Sequence, residues 1–422
     1  MGQPCAAAAA FAIAFHMTPD TLQHPDELRD QPVAKLPLTS LLALTMVSFV
    51  VILTEVLPAG LLPQLAASLN SSQSVMGQLI SIYALGSVLA AIPLAAATQG
   101  VGRRTLLLTA MAGFVIANTI TALSTSLTLI FVARFLGGVA AGLAWAMLVG
   151  YAARMVAPQH KGRAIAIAMA GTPLALTVGI PLGTYVGNLV GWRIAFGALS
   201  ALAALLMLWI VLRLPTLRAI PGQQRQRVAQ VFALPGVRTV LAVLLLYVVT
   251  HNLLYTYIAP LVTLAGLAPR VDFLLALFGG AALLSLLLVG ALVDRWLRQL
   301  VMTSTGLFLL ASVTLALWPG APAAVYLAVA IWGLAFGGAA TLFVTSLSNA
   351  SGPAQDVAQS MMTTVWNLAI FAGSVVGGML LGQFGAGSFA WVATATLGVT
   401  LLIIWRSRAQ CYWRGAASKL AK

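Results

Sequence analysis

The chain has 422 residues, of which 61% are hydrophobic and 7% charged, and its formal net charge is +14. A soluble domain carries about 25% charged residues, so this composition cannot build a water-facing surface and the solvent must be lipid. The bases fall singly or in small groups between apolar runs, with no long basic face, which excludes a nucleic-acid binder despite the charge.

Residues 1–37 read as a polar cytoplasmic leader. Cys5 to Phe15 is an apolar run of signal-peptide length, but no base precedes it and Met17 follows at once. The expectation is an over-extended start, with Met1 and Met17 both open as the first residue. A cleaved signal is the weaker reading, because the first true span can insert itself.

A helical crossing needs about 20 apolar residues. Twelve runs meet that length: 38–62, 75–97, 104–124, 127–152, 162–187, 192–212, 238–264, 273–293, 299–318, 322–347, 357–382 and 386–406. They are too long for barrel strands, which need about ten residues. Helices also satisfy their backbone groups within the segment, as lipid requires. The fold class is therefore all-α and integral to the membrane.

Bases orient the spans. Arg29 and Lys35, Arg103 and Arg104, Arg154, Lys161 and Arg163, the run Arg213 to Arg238, Arg295 and Arg298, and the tail Arg406 to Lys422 all lie on alternate connections. The other side has only Arg193 and Arg270. Both termini are predicted to be cytoplasmic. The connection between spans 10 and 11 carries Asp356 and no base. Cys5 and Cys411 fall on the cytoplasmic side, where thiols stay reduced, so neither a disulfide nor a metal site is expected.

The longest connection, 214–237, is polar and basic and contains Pro215, Pro221 and Pro235. It reads as a cytoplasmic linker between two six-helix halves, 38–213 and 238–406, with a basic tail at 407–422. The halves repeat each other. Thr54–Pro58 reads TEVLP in span 1 and Thr256–Pro260 reads TYIAP in span 7. QGVGRR at Gln99–Arg104 is matched by GALVDRWLR at Gly290–Arg298. Internal repeats are a recurring transporter plan, with the substrate site between the repeats near the midplane. A chain that carries its own two-fold repeat is expected to work as a monomer.

Eight acids exist, and four of them are in the leader. Asp272, Asp294 and Asp356 lie at connections or span ends, so Glu55 alone is deep in a span. An ionisable group there costs about 3 kcal/mol on insertion scales and marks a functional position. Desolvation favours the neutral carboxyl, which suits a group that takes up and releases protons. Glu55 lies about 25 Å along its helix from Leu38, in the outer half of the membrane. Pro58 removes a backbone donor three residues on and favours a kink. Arg134 is the one base deep in a span, and it also falls in the outer half. Three arrangements fit it: pairing with Glu55 across a cavity, binding backbone carbonyls, or snorkelling outward.

Tyr83, Asn118, Trp145, His251, Asn252, Tyr255, Tyr257, Trp332, Trp366 and Asn367 are polar or aromatic residues within spans and are candidates to line a substrate cavity. No Walker-type loop is present, so ATP is not the direct energy source and no cofactor is expected. One deep acid and one deep histidine are too few groups for a membrane-embedded enzyme. A channel reading is also poor, because channels assemble around an axis between subunits.

The motifs together resemble the major facilitator superfamily, and within it the twelve-span proton-coupled antiporters. The resemblance is nearest to bacterial sugar (arabinose-type) efflux transporters. It covers about residues 38–406 and is carried by TEVLPAGLLPQLAASL in span 1, GVGRRTLLL at 100–108, LIFVARFLGGVAAG in span 4 and GTPLALTVGIPLGTYVG at Gly171–Gly187. It departs from the family at Gln99, where an acid is usual, and at Ala259, where relatives often carry a polar residue. The resemblance implies export of a small molecule, sugar or drug, in exchange for protons across a bacterial cytoplasmic membrane. It implies that Gly171, Pro173, Gly179, Pro181, Gly183 and Gly187 form the antiporter helix motif and seal a seam. It also implies that Arg103, Arg104, Asp294 and Arg295 latch neighbouring helices at the cytoplasmic face.

Overall fold

The computed structural model describes residues 36–98, 101–157, 160–216 and 228–407. The leader, Gln99, most of the linker, the tail and both cysteines lie outside the described residues. Helix accounts for nearly all the rest. Among the described residues, eleven stretches are long and apolar enough to cross a bilayer. One of them, Ala268–Leu317, has 50 residues, about 75 Å of helix and more than twice the hydrocarbon thickness. Its regular backbone breaks at Trp296 (φ −127°, ψ 25°), between the runs expected as spans 8 and 9. Counting it as two gives the twelve crossings read from the sequence.

The outer surface is suited to lipid. Leu212 is 68% exposed, Leu189 66% and Trp405 64%, all on helices with few charges. In water such a face would aggregate, whereas in lipid tails it is the matching surface.

Span 1 runs unbroken from Leu38 to Ser68 through Pro58 and Pro63. Its helical assignment continues through Pro58, whereas its repeat partner is interrupted. Span 7 stops at Thr256, and Tyr257 leaves helical geometry (φ −110°, ψ 31°) before Ile258–Thr263 resumes. Pro260 supplies no N–H for the Thr256 carbonyl, so that carbonyl has no helical partner at the break. Span 5, Lys161–Val190, is also irregular, with a π-helical turn at Ala175–Gly179 immediately before Pro181. Span 10 divides at Gly337 and Gly338 into Pro322–Phe336 and Ala339–Ser351.

Glycine pairs set how closely spans approach. A Cβ on Gly138 of span 4 would collide with the Tyr83 carbonyl of span 2, and one on Gly86 with the Phe135 carbonyl. The other half repeats the device, since a Cβ on Gly337 of span 10 would strike the Ala282 carbonyl of span 8. In span 5, Gly171 lies against the backbone of Thr45 and Phe49, Gly179 against Phe49, Gly183 against Leu57 and Gly187 against Leu61. The glycine face of the expected motif thus packs on span 1. The π turn of the same span meets the other half, where Gly279 of span 8 sits on Leu176 and Thr177.

Candidate functional site

The polar groups of the N-terminal half converge around Glu55. Its side chain is 4% exposed, in the middle of an apolar helix. Arg134 reaches toward it from span 4 and is 1% exposed. The guanidinium does not pair with the carboxylate. Nη2 donates to the backbone carbonyl of Glu55 at 3.1 Å, and Nε donates to the carbonyl of Leu79 at 3.4 Å. The Tyr83 ring lies 4.7 Å below the guanidinium and the Phe196 ring at 6.0 Å. A desolvated cation over a ring gains about 2 kcal/mol. Carbonyl dipoles and ring faces therefore hold Arg134, while no hydrogen bond from the described residues reaches the Glu55 carboxylate.

Local sequence explains the arrangement. The contact of Gly86 and Gly138 brings spans 2 and 4 together at the backbone, so Arg134, one turn before Gly138, can pass span 2 and touch span 1. Tyr83 is fixed from both sides, with its hydroxyl donating to Val51 O at 3.2 Å. Asn118 of span 3 donates to Thr54 Oγ1 at 3.1 Å, beside Glu55. Tyr83 and Asn118, read from sequence as cavity residues, are packed into this carboxylate cluster. The carbonyls of Val51 and Leu79 left no signal in the sequence.

A second polar cluster joins the two halves at the end remote from the basic connections. Gln78 Nε2 lies 3.0 Å from the Tyr257 hydroxyl and 3.2 Å from Ser374 O. The Tyr257 hydroxyl lies 2.9 Å from Ser374 O and 3.3 Å from Ser74 O, and donates to one of them. Ser74 Oγ donates to Gly378 O at 2.5 Å. Gly77 and Gly377 leave room for the Tyr257 ring. Spans 2, 7 and 11 are thus clasped through Tyr257, which sits at the backbone break. Tyr257 was expected in the cavity, and Gln78 and Ser374 were not singled out by sequence. Tyr257→Phe is expected to loosen this end by about 1–2 kcal/mol, a shift of roughly tenfold toward its opening. Spin labels at Ser72 and Gln383 should then report a longer distance population, and an unchanged distribution would refute the clasp.

The C-terminal half holds an aromatic cluster. His251 and Tyr255 of span 7 meet Phe278 of span 8 and Trp332 and Phe336 of span 10 at ring-centroid distances between 3.4 and 5.9 Å. Trp366 of span 11 lies 6.2 Å from Phe336. Trp145, Asn252, Trp366 and Asn367 are half-buried, and the two asparagines donate to carbonyls of their own helices, Val248 and Thr363, at 3.0 Å each.

The expected latch residues lie at the basic end without an ion pair among the described residues. Asp294 and Arg295 are exposed. Arg104 instead donates to Val211 O in the last turn of span 6, where carbonyls lack helical partners and attract a cation.

The chain matches known proteins on both sequence and fold. Residues 44–355 match the family described as Major Facilitator Superfamily. A chloramphenicol efflux pump of Mycobacterium tuberculosis is 31% identical over 372 residues, 86% of this chain and 89% of that protein. The nucleoside transporter NupG superposes with a TM-score of 0.71 at 15% identity, covering 89% of this chain and all of that one. The xylose transporter XylE from E. coli, in a partially occluded inward-open conformation, superposes with a TM-score of 0.69 at 16% identity over 89% of this chain and 98% of that one.

Proposed function

The chain belongs to the major facilitator superfamily of membrane transporters, and on that premise we propose that it exports a small neutral organic molecule in exchange for protons. The observation that carries the reading is the Glu55 carboxyl, buried inside a span with no ion pair among the described residues and beside an arginine already committed to backbone carbonyls. Such a carboxyl is free to gain a proton from one side and lose it to the other as the halves rock. Arg134 holds the local helix geometry and supplies the positive field that assists proton release. Clasped spans 2, 7 and 11 close the end opposite the basic connections, so this state loads cargo from the basic side. By the distribution of bases, that side is the cytoplasm of a bacterial cell, with both termini facing it. The domain plan follows: a leader at 1–37, two six-helix bundles joined by a linker at 214–237, and a cytoplasmic tail from 407. The glycine face of span 5 seals against span 1, and its π turn forms the seam with span 8.

Chloramphenicol-type compounds are the favoured cargo class, on the strength of the 31%-identical relative. Sugars are the second reading, supported by the TEVLP and TYIAP segments of spans 1 and 7. Everted membrane vesicles with an imposed acid-inside gradient separate them. Labelled chloramphenicol should accumulate, its addition should make the lumen more alkaline, and a protonophore should abolish both effects. Accumulation of arabinose alone would transfer the reading to sugars. Accumulation indifferent to the protonophore would refute proton coupling.

A further inference from the structure

We propose that Asn118 of span 3 is the hydrogen-bond partner of the Glu55 carboxyl, accepting from it when it is protonated and donating to it when it is not. The proposal rests on the proton-exchange reading above and deepens it, by naming the residue that steadies both forms of the acid.

Two complementary groups without partners are tied to neighbouring residues. Asn118 is fully buried, and its Nδ2 donates to Thr54 Oγ1 at 3.1 Å. Its Oδ1 is also buried but has no hydrogen-bond partner among the described residues. Buried polar atoms are normally paired, because an unmade bond forfeits the one to water without replacement. The polar groups beside it on the same helix are satisfied. Thr121 Oγ1 donates to Ala117 O at 2.8 Å, and Thr119 Oγ1 bonds to Ser200 Oγ at 2.5 Å. The residue after Thr54 is Glu55, whose buried carboxyl makes no hydrogen bond with the described residues. An amide oxygen that lacks a donor is thus tethered one residue from an acid that lacks a partner. Packing holds this arrangement. A Cβ on Gly137 of span 4 would lie 3.4 Å from Ala117 Cβ and 3.4 Å from the Tyr83 ring, so the turn of span 3 that carries Asn118 borders the ring on which Arg134 lies.

Hydrogen-bond chemistry selects the amide over the other groups near the acid. The titratable groups whose charges act on Glu55 are Arg134 of span 4 and Tyr83 of span 2, and Phe196 of span 6 carries no charge. Arg134 has donors only, and two of them are spent on the carbonyls of Glu55 and Leu79. The Tyr83 hydroxyl gives its hydrogen to Val51 O, which leaves an oxygen that can accept but nothing to donate. Of the three polar neighbours, Asn118 is the one that offers an acceptor and donors together. Half a revolution of its amide exchanges Oδ1 for Nδ2. Thr54 keeps the tether in both orientations, because its hydroxyl accepts from Nδ2 in one and donates to Oδ1 in the other. The same side chain therefore answers the O–H of the neutral acid and the oxygens of the carboxylate. Asn118 itself neither gains nor loses a proton, and the proton released by Glu55 passes to water.

Infrared difference spectra between acid and alkaline pH test this on the purified full chain in lipid. Wild type is compared with Glu55→Gln, Asn118→Leu, Asn118→Ala, Tyr83→Phe and Thr119→Val. Wild type should show an acid C=O band, absent from Glu55→Gln, at the position of a carboxyl that donates a hydrogen bond. In both Asn118 variants that band should move to higher wavenumber, toward a free acid, and the carboxylate band that replaces it at alkaline pH should move as well. Thr119→Val disturbs the same helix at its contact with Ser200 and should leave both bands in place. Tyr83→Phe should leave the acid band in place. A wild-type band already at the free-acid position would overturn the proposal without recourse to any variant. Unmoved bands in the Asn118 variants, or an equal shift in Thr119→Val or Tyr83→Phe, would also overturn it, and each of these results leaves the proton-exchange reading standing. Absence of any titrating band that Glu55→Gln removes would overturn that reading and this proposal together.

Discussion

Glu55→Gln is expected to leave the protein folded in the membrane and to reduce proton-driven transport to the background of vesicles that lack the chain. Glutamine keeps the volume of the side chain but can neither take up nor release a proton in this range. Little stability is at risk, because no hydrogen bond from the described residues reaches the carboxylate and Arg134 bonds to the backbone carbonyl of residue 55, which the substitution retains. Removing a buried ionisable group also removes its cost of burial. The loss is therefore expected in coupling alone. Exchange of labelled for unlabelled cargo across the same vesicles, which needs no net proton movement, should continue. Wild-type accumulation under an imposed gradient would show that another group carries the proton.

Gly138→Ala is expected to produce a large loss of stability for a single methyl addition. The added Cβ would fall on the Tyr83 carbonyl, and the backbone of span 2 cannot move aside without separating from span 4. Overpacking in a flexible environment costs about 1–3 kcal/mol, and a rigid backbone obstacle puts this position at about 3 kcal/mol or more. The separation would also pull Arg134 from the carbonyls of Leu79 and Glu55, so transport should fall with stability. Thermal unfolding in detergent checks the first effect and vesicle transport the second. Gly162→Ala is the control, since a Cβ there meets nothing within 4 Å. Equal unfolding temperatures for the two variants would refute the close-approach argument.

The parts of this fold that were legible from sequence are those that composition controls. Twelve apolar runs, the sidedness of the bases and the isolation of Glu55 all follow from lipid as solvent, and lipid acts on every residue of a span alike. Partner choice was less legible, because it depends on which atoms meet. Arg134 and Glu55 were both singled out as residue types, but that the arginine would take the backbone carbonyl of Glu55 depends on Gly86 and Gly138 setting the spacing of spans 2 and 4. Thr-to-Pro spacing is identical in spans 1 and 7 and marks them as repeats. Span 1 nevertheless stays helical across Pro58, packed along the glycines of span 5, while span 7 breaks at Tyr257, where the hydroxyl is held by the other half. Gln78 leaves only a weak signal, a single amide in the run SVMGQ, because its contact depends on Gly77 making room for Tyr257.

Glu55 is the one buried carboxylate among the described residues, and in the proposed exchange it sets the gearing. Under the proposed exchange, a single carboxyl is expected to pass one proton per turnover. Exchanged against an uncharged cargo, that proton moves one net positive charge across the membrane in every cycle. The proposed export is then expected to be electrogenic, with membrane voltage driving it even when the two sides have equal pH. One charge gains about 2.3 kcal/mol per 100 mV, which sustains roughly a forty- to fifty-fold cargo gradient. Depolarised cells should lose most of that gradient, and an electrode on a supported membrane should record outward cargo movement as inward current.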